Sequence, residues 1–156
     1  MTLEKLLNKH PELEVVMAGS VGINLSRYSI PFSYKDLGSL TLEGTAKLYQ
    51  DCDIGLCFSM TNLSFLPMEL MASGCLCVTN LSPATDWFLK DGENCLLAEP
   101  LPSLLLSKFE QALASYDLRK HIFESGLKMV RATSWEKEFE RVMNFIKTDR
   151  YQGYLE

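Results

Sequence analysis

The chain has 156 residues, of which 47% are apolar, and it carries a formal net charge of −5. This length and apolar fraction suffice for one core, so we expect a single domain over 1–156. Acidic and basic residues are interspersed without a basic run, which argues against a nucleic-acid partner. No stretch approaches the ~18 apolar residues of a membrane span, and the N-terminal residues lack the core of a signal peptide. We therefore expect a cytoplasmic protein.

The five cysteines show none of the CxxC pairing that marks zinc sites and redox pairs. Cys57, Cys75 and Cys77 fall in apolar, strand-like runs, where a free thiol acts as a small hydrophobe. Such usage is typical of a reducing compartment. Because the two histidines sit beside charged, helix-like segments, we predict no metal site. We also expect no cofactor.

The first part of the chain predicts short helices and strands in alternation. In chain order, we expect a helix over TLEKLLNKHPE (2–12), a buried strand over LEVVMAG (13–19), a further short strand within the irregular segment 20–41, a helix over TLEGTAKLYQDC (41–52) and a strand over DIGLCFS (53–59).

The middle of the chain continues this alternation. There we expect a helix over LPMELMASG (66–74), a strand over CLCVTN (75–80), a short helix with an Asp-Gly turn over SPATDWFLKDG (82–92) and a strand over NCLLAE (94–99). Strands that are apolar on both faces and alternate with helices indicate a parallel sheet that is covered on both sides. The predicted fold class is α/β, with a doubly wound, Rossmann-like parallel sheet.

The last third of the chain is predicted to be helical. One apolar stripe comprises Leu104, Leu105, Phe109, Ala112, Leu113 and Tyr116, and a second comprises Trp135, Phe139, Val142, Met143 and Ile146. Both stripes are predicted to be packing surfaces. Asp117 is expected to cap the second of these helices, and Thr133 with Glu136 forms a capping-box pattern for the last one. The tail RYQGYLE (150–156) either frays or is held by its tyrosines.

A candidate ligand site follows the strand over 53–59. In open parallel sheets, ligands bind at the carboxyl ends of the strands, where helices begin. Thr61, Asn62 and Ser64 place short polar side chains in the loop before Leu66, and the next helix offers unpaired N–H groups. The loop and helix start therefore predict a phosphate site.

Glu69 lies just beyond Pro67, in the first turn or two of that helix. Its carboxylate can accept hydrogen bonds from a pair of hydroxyls, as on a ribose, or it can complement the helix dipole. Asn80 ends the next strand, beside the same edge of the sheet. It either contacts a ligand there or serves as a turn residue or helix cap. The sequence leaves both pairs of alternatives open.

The stretch LYQDCDIGLCFSMTNLSFLPMELMASGCLCVTNLSPATDWFLKDGENCLLAEP (48–100) resembles the nucleotide-sugar-binding domain of GT-B retaining glycosyltransferases of the glycosyl transferase group 1 family. It is particularly similar to the branch with bacterial polysaccharide rhamnosyltransferases. The resemblance extends over roughly 13–147. It implies a glycosyltransferase, a hexosyltransferase in its full form, whose C-terminal domain binds a nucleotide diphosphate sugar.

The resemblance also implies residue roles. Glu69 corresponds to the second acid of the family's E-x7-E motif, which binds the donor ribose. The backbone amides near Ser64, Phe65 and Leu66 then meet the diphosphate. The family's first acid has no counterpart, because Thr61 stands eight residues before Glu69 and no acid occurs over 54–68.

The absence of the first acid affects which donor sugar the site is expected to bind. Thr61, Asn62 and Ser64 would hold it through uncharged hydrogen bonds, which are roughly half as strong as charge-assisted ones. A deoxysugar donor such as a dTDP-linked rhamnose fits this set better than a glucose-type donor, and we state this as a hypothesis.

Three further features of the resembled family are absent. The chain lacks the first strand of the domain with its basic residues, and no Lys or Arg occurs between Lys47 and Lys90. It also lacks the N-terminal acceptor domain with the catalytic histidine. We therefore expect a fragment of a larger enzyme, with no catalytic residue in this chain, weak donor binding and no transfer without the N-terminal domain.

One alternative function remains open. The chain can serve as a non-catalytic interaction module that docks through its apolar C-terminal helix. A receiver domain is disfavoured, because the cluster of acids that it requires at strand ends is not evident.

Overall fold

The structure, a computed structural model, describes residues 1–20 and 22–147. The predicted tail at 150–156 lies outside them. The helices are α1 Thr2–Lys9, α2 Leu42–Asp51, α3 Leu66–Ser73, α4 Pro102–Ala114, α5 Tyr116–Ala132 and α6 Trp135–Lys147. The strands are β1 Val16–Met17, β2 Lys35–Asp36, β3 Ile54–Leu56, β4 Leu76–Asn80 and β5 Leu96–Ala98.

All described strand pairs are parallel, and α-helices follow β2, β3 and β5, so the predicted α/β class is confirmed. The strands form two sheets instead of one continuous sheet. One sheet pairs β1 with β2, and the other has the order β3–β4–β5. Because β1 pairs only with β2 among the described strands, Val16 and Met17 are half-buried. The sequence predicts a buried strand here. The strand is present, but the prediction that it is buried is wrong.

The strand β4 lies at the centre of the larger sheet and is buried along its whole length. Its side chains alternate between two apolar clusters. Leu76 and Val78 pack with residues of α1, α4 and α5, whereas Cys77 packs with Leu70 and Met71 of α3. A strand that buries both faces against helices gives the doubly wound arrangement.

The segment 82–92 forms consecutive turns and not the short helix that the sequence predicts. The side chain of Asn94 explains the difference. Its Nδ2 donates to the Phe88 carbonyl at 3.0 Å, and its Oδ1 accepts from the Lys90 N–H at 2.8 Å. These bonds engage main-chain groups at the end of the segment, so the helical-type bonds donated by the Asp86 and Leu89 N–H groups are not continued into a helix.

The predicted helix caps are shifted. Ser115 caps α5, with its Oγ accepting from the Leu118 N–H at 3.1 Å, so Asp117 lies inside the first turn. Ser134 caps α6 by accepting from the Lys137 N–H at 3.2 Å. Thr133 does not cap α6, because its hydroxyl donates to the Val130 carbonyl at the end of α5.

The two predicted apolar stripes differ in burial. On α4, Leu105, Phe109 and Ala112 are buried as predicted, whereas Leu104 is exposed. No residue of α6 is buried, so its predicted packing stripe is mostly exposed, although the Trp135 ring contacts Phe65. Within the described ranges, no helix is both long and apolar enough to cross a membrane.

Candidate functional site

The loop over 57–65 connects the end of β3 to the start of α3. Since β3 and β4 are parallel, this loop lies at the sheet edge where Asn80 ends β4. The Asn80 side chain is 2% exposed and holds both main-chain groups of one loop residue. Its Oδ1 accepts from the Ser59 N–H at 2.8 Å, and its Nδ2 donates to the Ser59 carbonyl at 2.8 Å. Asn80 therefore fixes the first part of the loop, and its direct contact with a donor stays a prediction.

The polar side chains of the loop form hydrogen bonds within the loop. Thr61 Oγ1 donates to Asn62 Oδ1 at 3.1 Å, and the Ser59 hydroxyl donates to the Asn62 carbonyl. Thr61 and Asn62 are exposed, and Ser64 is half-buried. The loop thus presents an uncharged, hydroxyl- and amide-rich surface, as the sequence predicts.

The backbone of the loop offers a run of unused hydrogen-bond donors. From Met60 to Leu66, and again at Met68, no main-chain N–H donates a hydrogen bond to another described residue. The first helical bond of α3 is made by the Glu69 N–H, which donates to the Phe65 carbonyl at 2.9 Å. Unpaired amides at a helix start attract anions, because the helix dipole adds a partial positive charge there.

Local sequence explains why α3 begins where it does. Phe65 is the N-cap residue and makes no side-chain cap bond, so the first amides are left open. Pro67 occupies the first turn, where its missing N–H costs nothing. Gly74 ends the helix as predicted, in the left-handed region at φ +86°.

Glu69 is exposed on α3, whose buried residues are Pro67, Leu70 and Met71. It lines an open groove of about 380 Å³, together with Phe65, Met68, Ala72, Val130 and Trp135. The structure therefore brings Glu69 and Phe65 together on one wall. Thr61, Asn62, Ser64, Leu66 and Asn80 do not line this groove.

The basic residues nearest in sequence to the loop are engaged elsewhere. Lys47 Nζ lies 2.6 Å from Asp51 Oδ1, and Lys90 Nζ donates to the Asp86 carbonyl at 2.6 Å. Across 1–20 and 22–147, no three His, Cys, Asp or Glu side chains gather as a metal would require. Lys47 and Lys90 are therefore engaged with other groups, whereas the backbone amides of the loop are unpaired.

Sequence reasoning missed two residues of this region, Ser59 and Trp135. Ser59 binds Asn80 through its main-chain N–H and carbonyl, which every residue except proline has, so its residue type does not indicate the contact. Trp135 was assigned to a packing stripe, yet its ring is 75% exposed and contacts the Phe65 ring, with centroids 5.7 Å apart. The contact joins residues 70 positions apart (135 − 65), which no local pattern could indicate.

Comparison with known proteins assigns the chain to a family. Residues 1–110 match the model of the family described as WsaF, C-terminal domain. The chain belongs to the WsaF C-terminal domain family. This WsaF-family domain is also 42% identical, over 134 residues, to the O-antigen biosynthesis protein RfbC of Myxococcus xanthus. The match covers 85% of this chain but only 10% of that relative's length.

Solved structures share the fold of the WsaF-family domain. The C-terminal domain of the glycosyl transferase group 1 family protein LpcC from Francisella tularensis matches with a TM-score of 0.68 and 19% identity, covering 85% of this chain and 75% of that one. A glycosyltransferase from Rickettsia africae matches with a TM-score of 0.75 and 18% identity, covering 95% and 43%. Anabaena HepE, solved with UDP and glucose, matches with a TM-score of 0.75 and 13% identity, covering 94% and 43%.

Taken together, the family match shows the family, and these solved structures show that the chain shares the fold of glycosyltransferases and of a glycosyl transferase C-terminal domain. The resemblance that the sequence suggests is thereby confirmed at the level of family and fold.

Proposed function

We propose that the domain binds the nucleotide diphosphate sugar from which a larger glycosyltransferase transfers a hexose to a polysaccharide or glycan acceptor. The name of the RfbC relative refers to O-antigen biosynthesis, and HepE was solved with UDP and glucose. Since the chain spans only 10% of the RfbC relative, transfer is assigned to the whole protein with its N-terminal acceptor domain. The proposed setting is the cytoplasm of a bacterial cell.

The observation that carries the proposal is the run of unpaired amides from Met60 to Leu66, one helical turn from the exposed Glu69. In the proposed complex, the amides near Ser64, Phe65 and Leu66 donate to the diphosphate oxygens. The Glu69 carboxylate accepts from the ribose hydroxyls. These two interactions recognise the nucleotide without a metal ion or a cofactor.

The sugar end of the donor is assigned to the polar loop. Thr61, Asn62 and Ser64 offer neutral donors and acceptors, and no carboxylate lies among them. Charge-assisted hydrogen bonds are about twice as strong as neutral ones. A sugar with fewer hydroxyls therefore loses less binding free energy when the side chains around it are uncharged. A dTDP-linked deoxyhexose such as rhamnose is therefore the proposed donor.

Amide-resolved NMR titration of the ¹⁵N-labelled domain tests the proposed site. UDP, dTDP, UDP-glucose and dTDP-rhamnose are added separately, and the shifts are expected to concentrate on the amides over 60–69. Glu69→Gln should weaken binding about tenfold, because a bond to a charged group contributes about 1.5–3 kcal/mol. Glu140→Gln, which alters an exposed carboxylate on α6, is the matched control and should leave affinity unchanged.

The outcomes separate the parts of the proposal. If Glu69→Gln binds the nucleotides as tightly as the unaltered domain does, the proposal that Glu69 binds the ribose is contradicted. The affinity gained from the sugar is measured by comparing UDP-glucose with UDP and dTDP-rhamnose with dTDP. If the two gains are equal, the proposed preference for rhamnose is contradicted. Sugar transfer to a glycan acceptor by the pure domain alone would contradict the assignment of catalysis to the whole protein.

A second candidate function is an interaction module that docks through α6. The observation that favours it is the exposure of large apolar side chains on this helix, among them Trp135 at 75% and Phe139 at 65%. Analytical ultracentrifugation of the domain, alone and with the separately expressed N-terminal part of the protein, tests it. Loss of association in Phe139→Ser without loss of nucleotide binding would favour docking, whereas an unchanged association would exclude this face.

A further inference from the structure

The start of α6 reaches back to the start of α3 through an aromatic pair. Phe65 and Trp135 have ring centroids 5.7 Å apart, with the ring planes inclined by 56°. Tilted pairs at this separation are attractive, because the positive edge of one ring meets the negative face of the other. Phe65 is the N-cap residue of α3 and makes no side-chain cap bond. The ring of Trp135 thus contacts a residue within the run of unpaired amides, at the start of α3.

The position of Trp135 is itself fixed by the turn between α5 and α6. The Thr133 hydroxyl donates to the Val130 carbonyl at 2.8 Å, and Ser134 accepts from the Lys137 N–H. Lys137 Nζ also donates to the Ala132 carbonyl at 3.1 Å. These local bonds hold the first turn of α6 to the last turn of α5.

The helix α5 is in turn held closely against α3. A Cβ built on Gly126 of α5 would lie 3.1 Å from Met71 Cγ and 3.3 Å from the Asn94 carbonyl oxygen. Such an approach is possible only for glycine without adjustment. The side chain of Met71, in the second half of α3, therefore packs closely on α5, and the Phe65–Trp135 pair adds a contact between α6 and the N-terminal end of α3.

The geometry points to Trp135 as a positioning residue for the nucleotide site, an inference that rests on the proposed function. Trp135 lines the same groove as Glu69, and its proposed effect on the amides is transmitted through Phe65. Its ring packs on Phe65 and so restricts the orientation of the amides that are to meet the diphosphate. Because unpaired amides bind an anion well only when they converge on it, loss of this contact should weaken diphosphate binding without unfolding the domain.

The test compares Trp135→Ala, Trp135→Phe and Trp87→Ala, with UDP as the probe. Trp87 is the other tryptophan of the chain, is 67% exposed and packs on Phe88, so its removal is a matched control. UDP should bind Trp135→Ala about threefold to tenfold more weakly, the range that one aromatic contact allows. Trp135→Phe should restore binding to within about twofold, because a phenyl ring can still pack on Phe65. Trp87→Ala should bind UDP as the unaltered domain does.

Backbone ¹⁵N relaxation of the same variants, recorded without nucleotide, gives a second measurement. Order parameters over 60–66 should fall in Trp135→Ala and recover in Trp135→Phe, and the Glu69 N–H, bonded to the Phe65 carbonyl, should exchange faster with solvent. Unchanged UDP affinity, or unchanged order parameters, in Trp135→Ala would overturn the inference. A lack of UDP binding by the unaltered domain would instead count against the proposed function, and the relaxation data would still decide the role of Trp135.

Discussion

The side-chain amide of Asn80 forms a reciprocal pair of 2.8 Å hydrogen bonds with the main chain of Ser59. These bonds extend the contact between β3 and β4 past the end of β3, because the Asn80 side chain binds the main chain of Ser59 as a neighbouring strand would. Because the loop over 57–65 leaves β3 at this point, the pair sets the direction in which the loop departs. The most buried polar side chain at the candidate site thus acts on the backbone.

Replacing Asn80 by alanine should destabilise the domain by about 2 kcal/mol. The substitution removes the two hydrogen bonds to Ser59 and a longer one to Met60 Sδ at a side chain that is 2% exposed, and it leaves the Ser59 groups without these partners. Urea denaturation followed by circular dichroism measures the change. Thr61→Ala is the control, because its side chain is exposed and bonds only to Asn62, so its effect should stay within about 0.5 kcal/mol. Equal stabilities of the two variants would contradict the role given to Asn80.

Two glycines should respond to alanine with opposite signs. A Cβ on Gly55 of β3 would lie 2.5 Å from Cδ2 of the buried Leu70, so Gly55→Ala should cost about 1–3 kcal/mol through overpacking. A Cβ on Gly44 of α2 would meet only ordinary contacts, the nearest being Thr41 Oγ1 at 3.4 Å. Gly44→Ala should therefore raise the free energy of unfolding by about 0.5 kcal/mol. Thermal and urea unfolding check both signs, and stabilisation by Gly55→Ala would contradict the packing described for β3 and α3.

The carboxyl group of Asp36 should titrate below its usual range. The Gly38 N–H donates to Asp36 Oδ1 at 2.9 Å and the Ser20 hydroxyl donates to it at 2.7 Å, and these bonds lower its pKa from 3.8. A lowered pKa contributes stability above the unfolded-state value, and this contribution is lost as the pH falls through the folded-state value. We therefore expect the loss below about pH 4, where the group becomes protonated.

Carboxyl ¹³C NMR titration measures this pKa directly. Ser20→Ala should raise the pKa of Asp36 only in part, because the Gly38 N–H is the larger cause of the shift. Ser107→Ala, at an exposed serine of α4, should leave it unchanged. A midpoint above 3.8 in the unaltered domain would be inconsistent with these hydrogen bonds.

Thiol labelling should follow burial. Burial raises the pKa of the Cys75 and Cys95 thiols to about 12, so neither forms the reactive thiolate near neutral pH. Cys52 is only half-buried, although burial raises its pKa as well. Iodoacetamide at pH 8, followed by mass spectrometry, should label Cys52 first, and urea should be needed to label Cys75 and Cys95. Cys52→Ser should lose the first label, and native labelling of Cys95 at the same rate would contradict its burial.

The sequence predicted most elements correctly where a short pattern is enough. The helix over Leu66–Ser73 is an example, because a proline in its first turn and a glycine after its last residue mark both ends locally. The segment 82–92 is the opposite case. Its residues fit a helix, but the Asn94 side chain forms hydrogen bonds with the main chain of Phe88 and Lys90. Because Asn94 lies outside the segment, the residues of the segment alone do not indicate these bonds.

For the candidate site, the sequence by itself determined which groups are available: an acid, neutral polar side chains and a helix start, in that neighbourhood of the chain. Only the tertiary structure decided how they are arranged. Ser59 meets Asn80, Phe65 meets Trp135, and Glu69 faces a groove that the polar loop side chains do not line. The reason is physical: hydrophobic periodicity and capping act within a turn or two of chain, whereas these contacts join residues that become neighbours only after the strands pair and the helices pack.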